Sequence, residues 1–422
     1  MKKIIKSAIS HPLISGSTII FFGSMAASVL SYLFNLGTGR FLSPSDYGTL
    51  IALISMFNIF SVFATTINTV FTKFTAAFVG QKKEEFIGTL FIKGTLLVGL
   101  LAFFICGIVV LFSSLVANFL HINSAILVQI TALSLFVSYL SYIGNGILQG
   151  LLKFGYFSFI NIFSSLTKLI FGFLFIFLGF RVLGAVTGIL LSALVGYFLI
   201  FFPLSQFFKN KNRSLVIPNL PRKISLYALP VFLSSIGITS FISMDIILVK
   251  HFFDPGIAGQ YAAISITGRA IFYAVSPIAF VLFPLVAQKH EKKEKLTGLL
   301  LLALGLVGIP SMLLSFFYFV FPDIVRTIFF PGSQYKFLVP FLGPFSVFIL
   351  LYTLSFVLNT FYLSIGKIKV CVFTILGALL EIVLLSFFHK DLMHVIMSLI
   401  VSSFLLLVSL VLYYPLATKS KL

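Results

Sequence analysis

Four charged side chains, Asp245, Arg269, Lys168 and Glu381, stand inside long apolar runs. A charge buried among apolar neighbours is costly unless it meets a partner or an ionic ligand. The planar guanidinium of Arg269 can grip a carboxylate or a phosphate with two parallel hydrogen bonds. It therefore reads either as the anchor of an anionic ligand or as half of a structural pair, with Asp245 as the candidate partner. Lys73, at the end of a polar stripe, is either a second cation for that ligand or a side chain snorkelling to a headgroup layer. Lys168 and Glu381 fall at almost equivalent places in two apolar segments, which points to a gating or structural role. Arg40, in the loop after the first segment, is placed with them.

Polar side chains recur at helical spacing around these charges. Ser17, Ser24, Ser28, Ser31 and Asn35 form one set; Asn58, Ser61, Thr65, Asn68 and Thr72 form a second, ending at Lys73. Ser235, Thr239 and Ser243 precede Asp245, and Ser265, Tyr273 and Ser276 flank Arg269. Steps of three, four or seven residues put each set on one face of a helix. Such faces either glue helices together through hydroxyl and amide bonds or line a polar path. In the second case Ser24, Ser28, Asn58, Asn68 and Tyr273 are candidate ligand contacts. Segments four, five and ten carry similar residues (Asn145, Asn161, Ser165, Asn359 among them), so the stripes discriminate only in part.

The elements that hold these residues are membrane helices. Of 422 residues 59% are hydrophobic and 9% charged, with a mean hydropathy of +1.15, too little polar surface to clothe a soluble globule. About 20 apolar residues cross the hydrocarbon core as a helix, and the alternation of a barrel strand is absent. The expected fold is all-α and polytopic, with about twelve transmembrane helices in two pseudo-symmetric six-helix lobes. The expected spans are 13–37, 47–72, 87–112, 124–148, 156–179 and 184–207, then 225–249, 257–283, 296–320, 337–362, 369–388 and 392–414. The organisation that follows is an N-terminal lobe over 1–208, a cytoplasmic linker over 209–223 and a C-terminal lobe over 224–422. The first apolar run is too long for a signal peptide and lacks a small-residue cleavage site, so it reads as a retained helix.

The halves are in register. Arg40-Phe41-Leu42-Ser43-Pro44-Ser45-Asp46-Tyr47-Gly48 is echoed 211 positions later by His251-Phe252-Phe253-Asp254-Pro255-Gly256-Ile257-Ala258-Gly259, and Asn145 is echoed by Asn359. Duplicated six-helix halves suit a carrier whose bundles rock about a shared midplane site. The cavity would be lined by segments one, two, seven and eight. Of the 29 Lys and Arg residues, nineteen fall on one side of this topology and six on the other, so the positive-inside rule sets both termini in the cytoplasm. The net charge of +19 then reflects topology and anionic headgroups, with no call for a nucleic-acid partner.

Catalytic patterns are missing. The six histidines lack metal-ligand spacing, and no phosphate-binding glycine loop, GxSxG or HExxH occurs. No cofactor, metal or catalytic residue is expected. Cys106 and Cys371 lie in opposite halves and read as packing residues.

The stretch from Arg40 to Gly48, with Gly16-Ser17 before it, resembles the polysaccharide (oligosaccharide-lipid) flippases of the multidrug/oligosaccharidyl-lipid/polysaccharide exporter superfamily, where R-x-L-x-P-x-x-[YF]-G follows helix one. The second half is similar too, at Gly256-Ile-Ala-Gly-Gln-Tyr-Ala262 and at Asn359-Thr-Phe-Tyr-Leu-Ser-Ile-Gly-Lys367. The resemblance covers essentially the whole chain, and the twelve expected spans do not include the extra C-terminal helix pair of some relatives, lipid II flippases among them, which speaks against a peptidoglycan precursor as the cargo. It implies translocation of a polyprenyl-diphosphate-linked oligosaccharide from the cytoplasmic to the outer leaflet of the plasma membrane, by alternating access, for cell-surface polysaccharide biosynthesis. Lipid-linked oligosaccharide, membrane lipids and other polysaccharide-assembly proteins are the implied partners. A multidrug-type cation antiporter of the same fold is the alternative; it would want acidic residues at midplane. A membrane glycan polymerase or ligase is a third reading, and the short outer loops speak against it.

Overall fold

The computed structural model describes residues 12–80, 83–209, 229, 232–291, 296–367 and 369–418. The linker expected at 209–223 lies outside them from residue 210 onward, and the side chain of Ser17 is also outside the description. Among the described residues there is no strand, as hydrocarbon requires of an open chain that must satisfy its own backbone groups.

The first seven helices are α1 (Pro12–Phe41), α2 (Pro44–Gly80), α3 (Glu85–Leu111), the short α4 (Ser113–Phe119), α5 (Ala125–Gly150), α6 (Phe154–Phe175) and α7 (Arg181–Lys209). They are followed by α8 (Phe232–Ser240), α9 (Met244–Phe252), α10 (Pro255–Glu291), α11 (Thr297–Val320), α12 (Pro322–Phe329), α13 (Val339–Ser364), α14 (Val370–Phe387) and α15 (Leu392–Thr418). Eight helices among the described residues are long and apolar enough to cross a membrane, or nine if α8 and α9, bent by 47°, are one broken span.

One of these spans, Phe154–Ser205, runs 52 residues without a gap. Straight, it would reach about 78 Å, more than twice the ~30 Å hydrocarbon core. It is a hairpin instead. A single π turn, Ile176–Phe180, carries Gly179 at φ 93° and leads to Arg181 at φ 49°, reversing the chain. Gly188 then lies against Gly172 and Gly196 against Ser164, the spacing of an antiparallel pair. Glycine at 188 lets the two backbones come close, as small residues do between membrane helices.

Two compact units result, Met1–Thr38 with Phe60–Leu229, and Gly39–Ile59 with Pro230–Leu422. Gly39–Ile59, expected with the first half, thus packs with the second. The reason is local chemistry. Arg40 donates from Nε to the Phe329 carbonyl at 2.7 Å and from Nη2 to the Ile328 carbonyl, closing off the end of α12. Tyr335 Oη donates to the Gly39 carbonyl at 2.8 Å, and Tyr47 packs its ring against Phe330. Gly48 and Gly259, the two glycines that the repeat makes equivalent, touch; a Cβ on Gly259 would run into the Pro44 carbonyl. Leu and Phe side chains such as Leu96, Leu100, Phe103 and Phe104 stand exposed on α3, where lipid tails solvate them as well as protein would. Cys106 and Cys371 are free.

Candidate functional site

The charges of the second unit converge. The chain breaks at Phe241–Ser243 and restarts as α9, putting Asp245 in a helical first turn, where unpaired N–H groups favour an anion. On α10, Tyr261 and Arg269 are eight residues apart and share a face. Arg269 Nη2 donates to Asp245 Oδ1 at 2.9 Å and to Oδ2 at 2.8 Å, and Tyr261 Oη donates to the same Oδ2 at 2.8 Å. Asp245 is fully buried and Arg269 is 8% exposed. The guanidinium is not exhausted, since its Nε finds no acceptor among the described residues.

Glu381, on α14, is also fully buried and lies within electrostatic range of Asp245 and Arg269. Neither of its carboxylate oxygens meets a donor among the described residues. The cluster is therefore one guanidinium and two carboxyl groups, of which one carboxyl is held and the other is bare. Taking away either member of the held pair leaves a buried charge and costs about 3–5 kcal/mol. Tyr273 sits one turn beyond Arg269, 37% exposed, its ring edge against Phe272. Asn58 is half-buried on the stretch of α2 that packs with this unit.

In the first unit the polar stripes of α1 and α6 meet. Lys168 Nζ donates to Ser31 Oγ at 3.0 Å and lies 5.3 Å from the centre of the Phe34 ring. Ser31 Oγ is 3.4 Å from Ser165 Oγ. Ser24 is half-buried and Ser28 exposed along the same stripe of α1. On α2, Asn68 Oδ1 accepts from Gln149 Nε2 at 3.2 Å, and Lys73 is exposed. Lys168 and Glu381, expected at almost equivalent places in the two halves, belong to different units and different environments.

Among the predicted residues, Arg269 and Asp245 are brought together directly, with Glu381 beside them. Arg40 serves the end of α12, and Asn359 accepts from Ser234 Oγ at 3.0 Å, so these two hold structure. Tyr261 was missed; its signal was the two-turn spacing to Arg269. No group of three or more His, Cys, Asp or Glu residues fit to hold a metal occurs among the described residues.

This helical arrangement is similar to that of several solved membrane proteins. The chain is similar over 95% of its length to the whole of a multidrug resistance MATE family transporter of the MOP superfamily in its inward-facing conformation, with a TM-score of 0.75 and 16% identity. It is similar over 94% of its length to 87% of the lipid II flippase MurJ in an inward closed conformation, with a TM-score of 0.73 and 16% identity. A MOP superfamily transporter from Pyrococcus furiosus, described by a reverse polarity of its binding pocket, aligns over 95% of each chain with a TM-score of 0.65 and 16% identity. At such identities the likeness is one of fold. The family described as polysaccharide biosynthesis protein matches residues 13–290, and the chain belongs to it. No individual curated protein matches the chain. It is a multi-pass membrane protein of the MOP fold.

Proposed function

We propose that this protein is a flippase that carries a polyprenyl-diphosphate-linked oligosaccharide from the cytoplasmic to the outer leaflet of the plasma membrane by alternating access. The observation that carries the reading is membership of the polysaccharide biosynthesis family over 13–290. The fold shared with a lipid II flippase supports it, as do the cations and hydroxyls set among apolar helices. On this reading the chain has twelve spans in two six-helix lobes, with both termini cytoplasmic. Ser24, Ser28, Asn58, Asn68 and Tyr273 meet the sugar, whose hydroxyls exchange readily with Ser, Asn and Tyr groups, and Lys73 waits at the cytoplasmic mouth. Arg269 is a cation already shared with Asp245, so it reaches a diphosphate by exchanging partners or through the donors that the pair does not use, Nε among them.

The test is transbilayer movement. Vesicles holding the purified protein and a fluorescent polyprenyl-diphosphate disaccharide should expose the inner-leaflet pool to an external quencher much faster than protein-free vesicles. Equal rates would overturn the proposal. One observation favours a second reading, the multidrug-type cation antiporter: two buried carboxyls, Asp245 and Glu381, lie within electrostatic range of each other. That reading requires efflux of a lipophilic cation, and the same vesicles report it.

A further inference from the structure

Lys168 is a cation in the apolar stretch of α6 whose own unit offers it no acidic partner at that depth. Within the first unit the sequence has only two acidic residues, Glu84 and Glu85, both at the start of α3. No carboxylate therefore accompanies Lys168 in its unit at membrane depth, whereas Arg269 is gripped by Asp245. Lys168 lies 14 residues into α6 and 7 from its end, roughly 21 Å and 11 Å along the axis at 1.5 Å per residue. It does not snorkel: its ammonium turns sideways to Ser31 on α1.

The face it occupies is polar. Asn161, Ser165 and Lys168 follow one another by four and three residues, and all three are half-buried. The opposite face of α6 exposes Phe159, Phe163, Ile170 and Leu174, which is the side that lipid wets. Ammonium and polar stripe are thus turned away from the acyl chains. An ammonium has three protons to donate; Ser31 takes one, and the Phe34 ring face attracts the charge weakly. A charge in such a place wants an anion.

We infer that Lys168, with the hydroxyls of Ser31 and Ser165, is the anion site of the first unit and takes a phosphate group of the lipid-linked substrate. The inference rests on the flippase reading above and deepens it. A compact ammonium with two adjacent hydroxyls offers a phosphate one charge-assisted bond and two neutral ones, and Lys168 need abandon no acidic partner to do so. The chemistry is shared by two sources, the diphosphate of the substrate and the phosphate of bulk anionic lipid, and we assign the site to the first.

The experiment uses the full-length protein in phosphatidylcholine nanodiscs, with a polyprenyl diphosphate and the uncharged polyprenol of equal length as probes, read by native mass spectrometry. Lys168→Gln should weaken the diphosphate on the order of tenfold or more and leave the polyprenol unchanged. Lys168→Arg should retain part of the difference, and Lys93→Gln, on the exposed face of α3, should bind as the unaltered chain does. Undiminished diphosphate binding by Lys168→Gln, while the unaltered protein binds and flips its substrate, would overturn the inference and leave the flippase reading standing. Failure of the unaltered protein to bind the diphosphate or to flip would overturn both. Equal competition by phosphatidylglycerol would give the site to bulk lipid and overturn its assignment to substrate. A fall in melting temperature of Lys168→Gln with no change in the ratio of diphosphate to polyprenol affinity would make the residue structural and overturn the inference too.

Discussion

Arg269 and Asp245 are the pair on which the second unit's polar chemistry turns. Arg269→Ala leaves a buried carboxylate held only by Tyr261, and should cost about 3–5 kcal/mol of stability, read as a lowered thermal unfolding midpoint in detergent. Removing both charges, as Arg269→Ala with Asp245→Ala, should recover part of that loss, because neither member of the pair is left buried without the other. Transport separates the roles. A double variant that is stable and still exports lipid-linked glycan would show that Arg269 only neutralises Asp245. A stable but inactive one would place the guanidinium on the substrate path. At the start of α15, Asp391 accepts from the backbone N–H of Met393 and of His394, both at 2.9 Å, and faces the His394 ring at 3.0 Å. Hydrogen bonds from His394 lower its carboxyl below the ordinary value, and the group is solvent-exposed. A depressed carboxyl stabilises fully above the ordinary Asp value of about 3.9, and that contribution fades as pH falls through the lower folded value. Amide exchange in the first turn of α15 should therefore quicken in acid, and Asp391→Asn should remove the pH dependence.

At the scale of elements, the glycines that let backbones meet matter most. Ala at Gly259 sets a methyl into the Pro44 carbonyl, and backbone cannot yield as a side chain would. The substitution should cost at least about 1–3 kcal/mol, with loss of folded protein on size-exclusion chromatography. Gly107→Ala, where nothing lies within 4 Å, should be neutral or stabilising by about 0.5–1 kcal/mol, since alanine holds a helix better than glycine. An equal effect at both positions would contradict the close approach of α2 and α10. The long helices were legible from sequence, because each is an apolar run with polar breaks, whereas the short α4 and α12 were not among the expected spans. The interruption between α8 and α9 was not. Neither proline nor glycine stands at Phe241–Ser243 to mark a broken span in the sequence.

For the whole molecule, the topology proposed from the cation asymmetry is open to chemical labelling. Cysteine in place of Ser45 should react with an impermeant thiol reagent from outside the cell, and cysteine in place of Asn212 only after the membrane is opened. Reaction of both from one side would refute the orientation. Composition and hydrophobic period were enough to define a helical membrane protein, because hydrocarbon admits so few backbone solutions. The echo of 40–48 in 251–259 was likewise visible without any coordinates, and it pointed to an internal duplication. Sequence could also propose Asp245 for Arg269, since each is a costly intramembrane charge of opposite sign. It could not show that Gly39–Ile59 packs with the second half, because that is decided by carbonyls at the end of α12 that no residue type advertises. Nor could it separate Lys168 from Glu381. Their equivalent positions in the repeat suggested one shared role, and the difference lies in what three-dimensional packing brings beside each, a hydroxyl and a ring face for one and a guanidinium–carboxylate pair for the other.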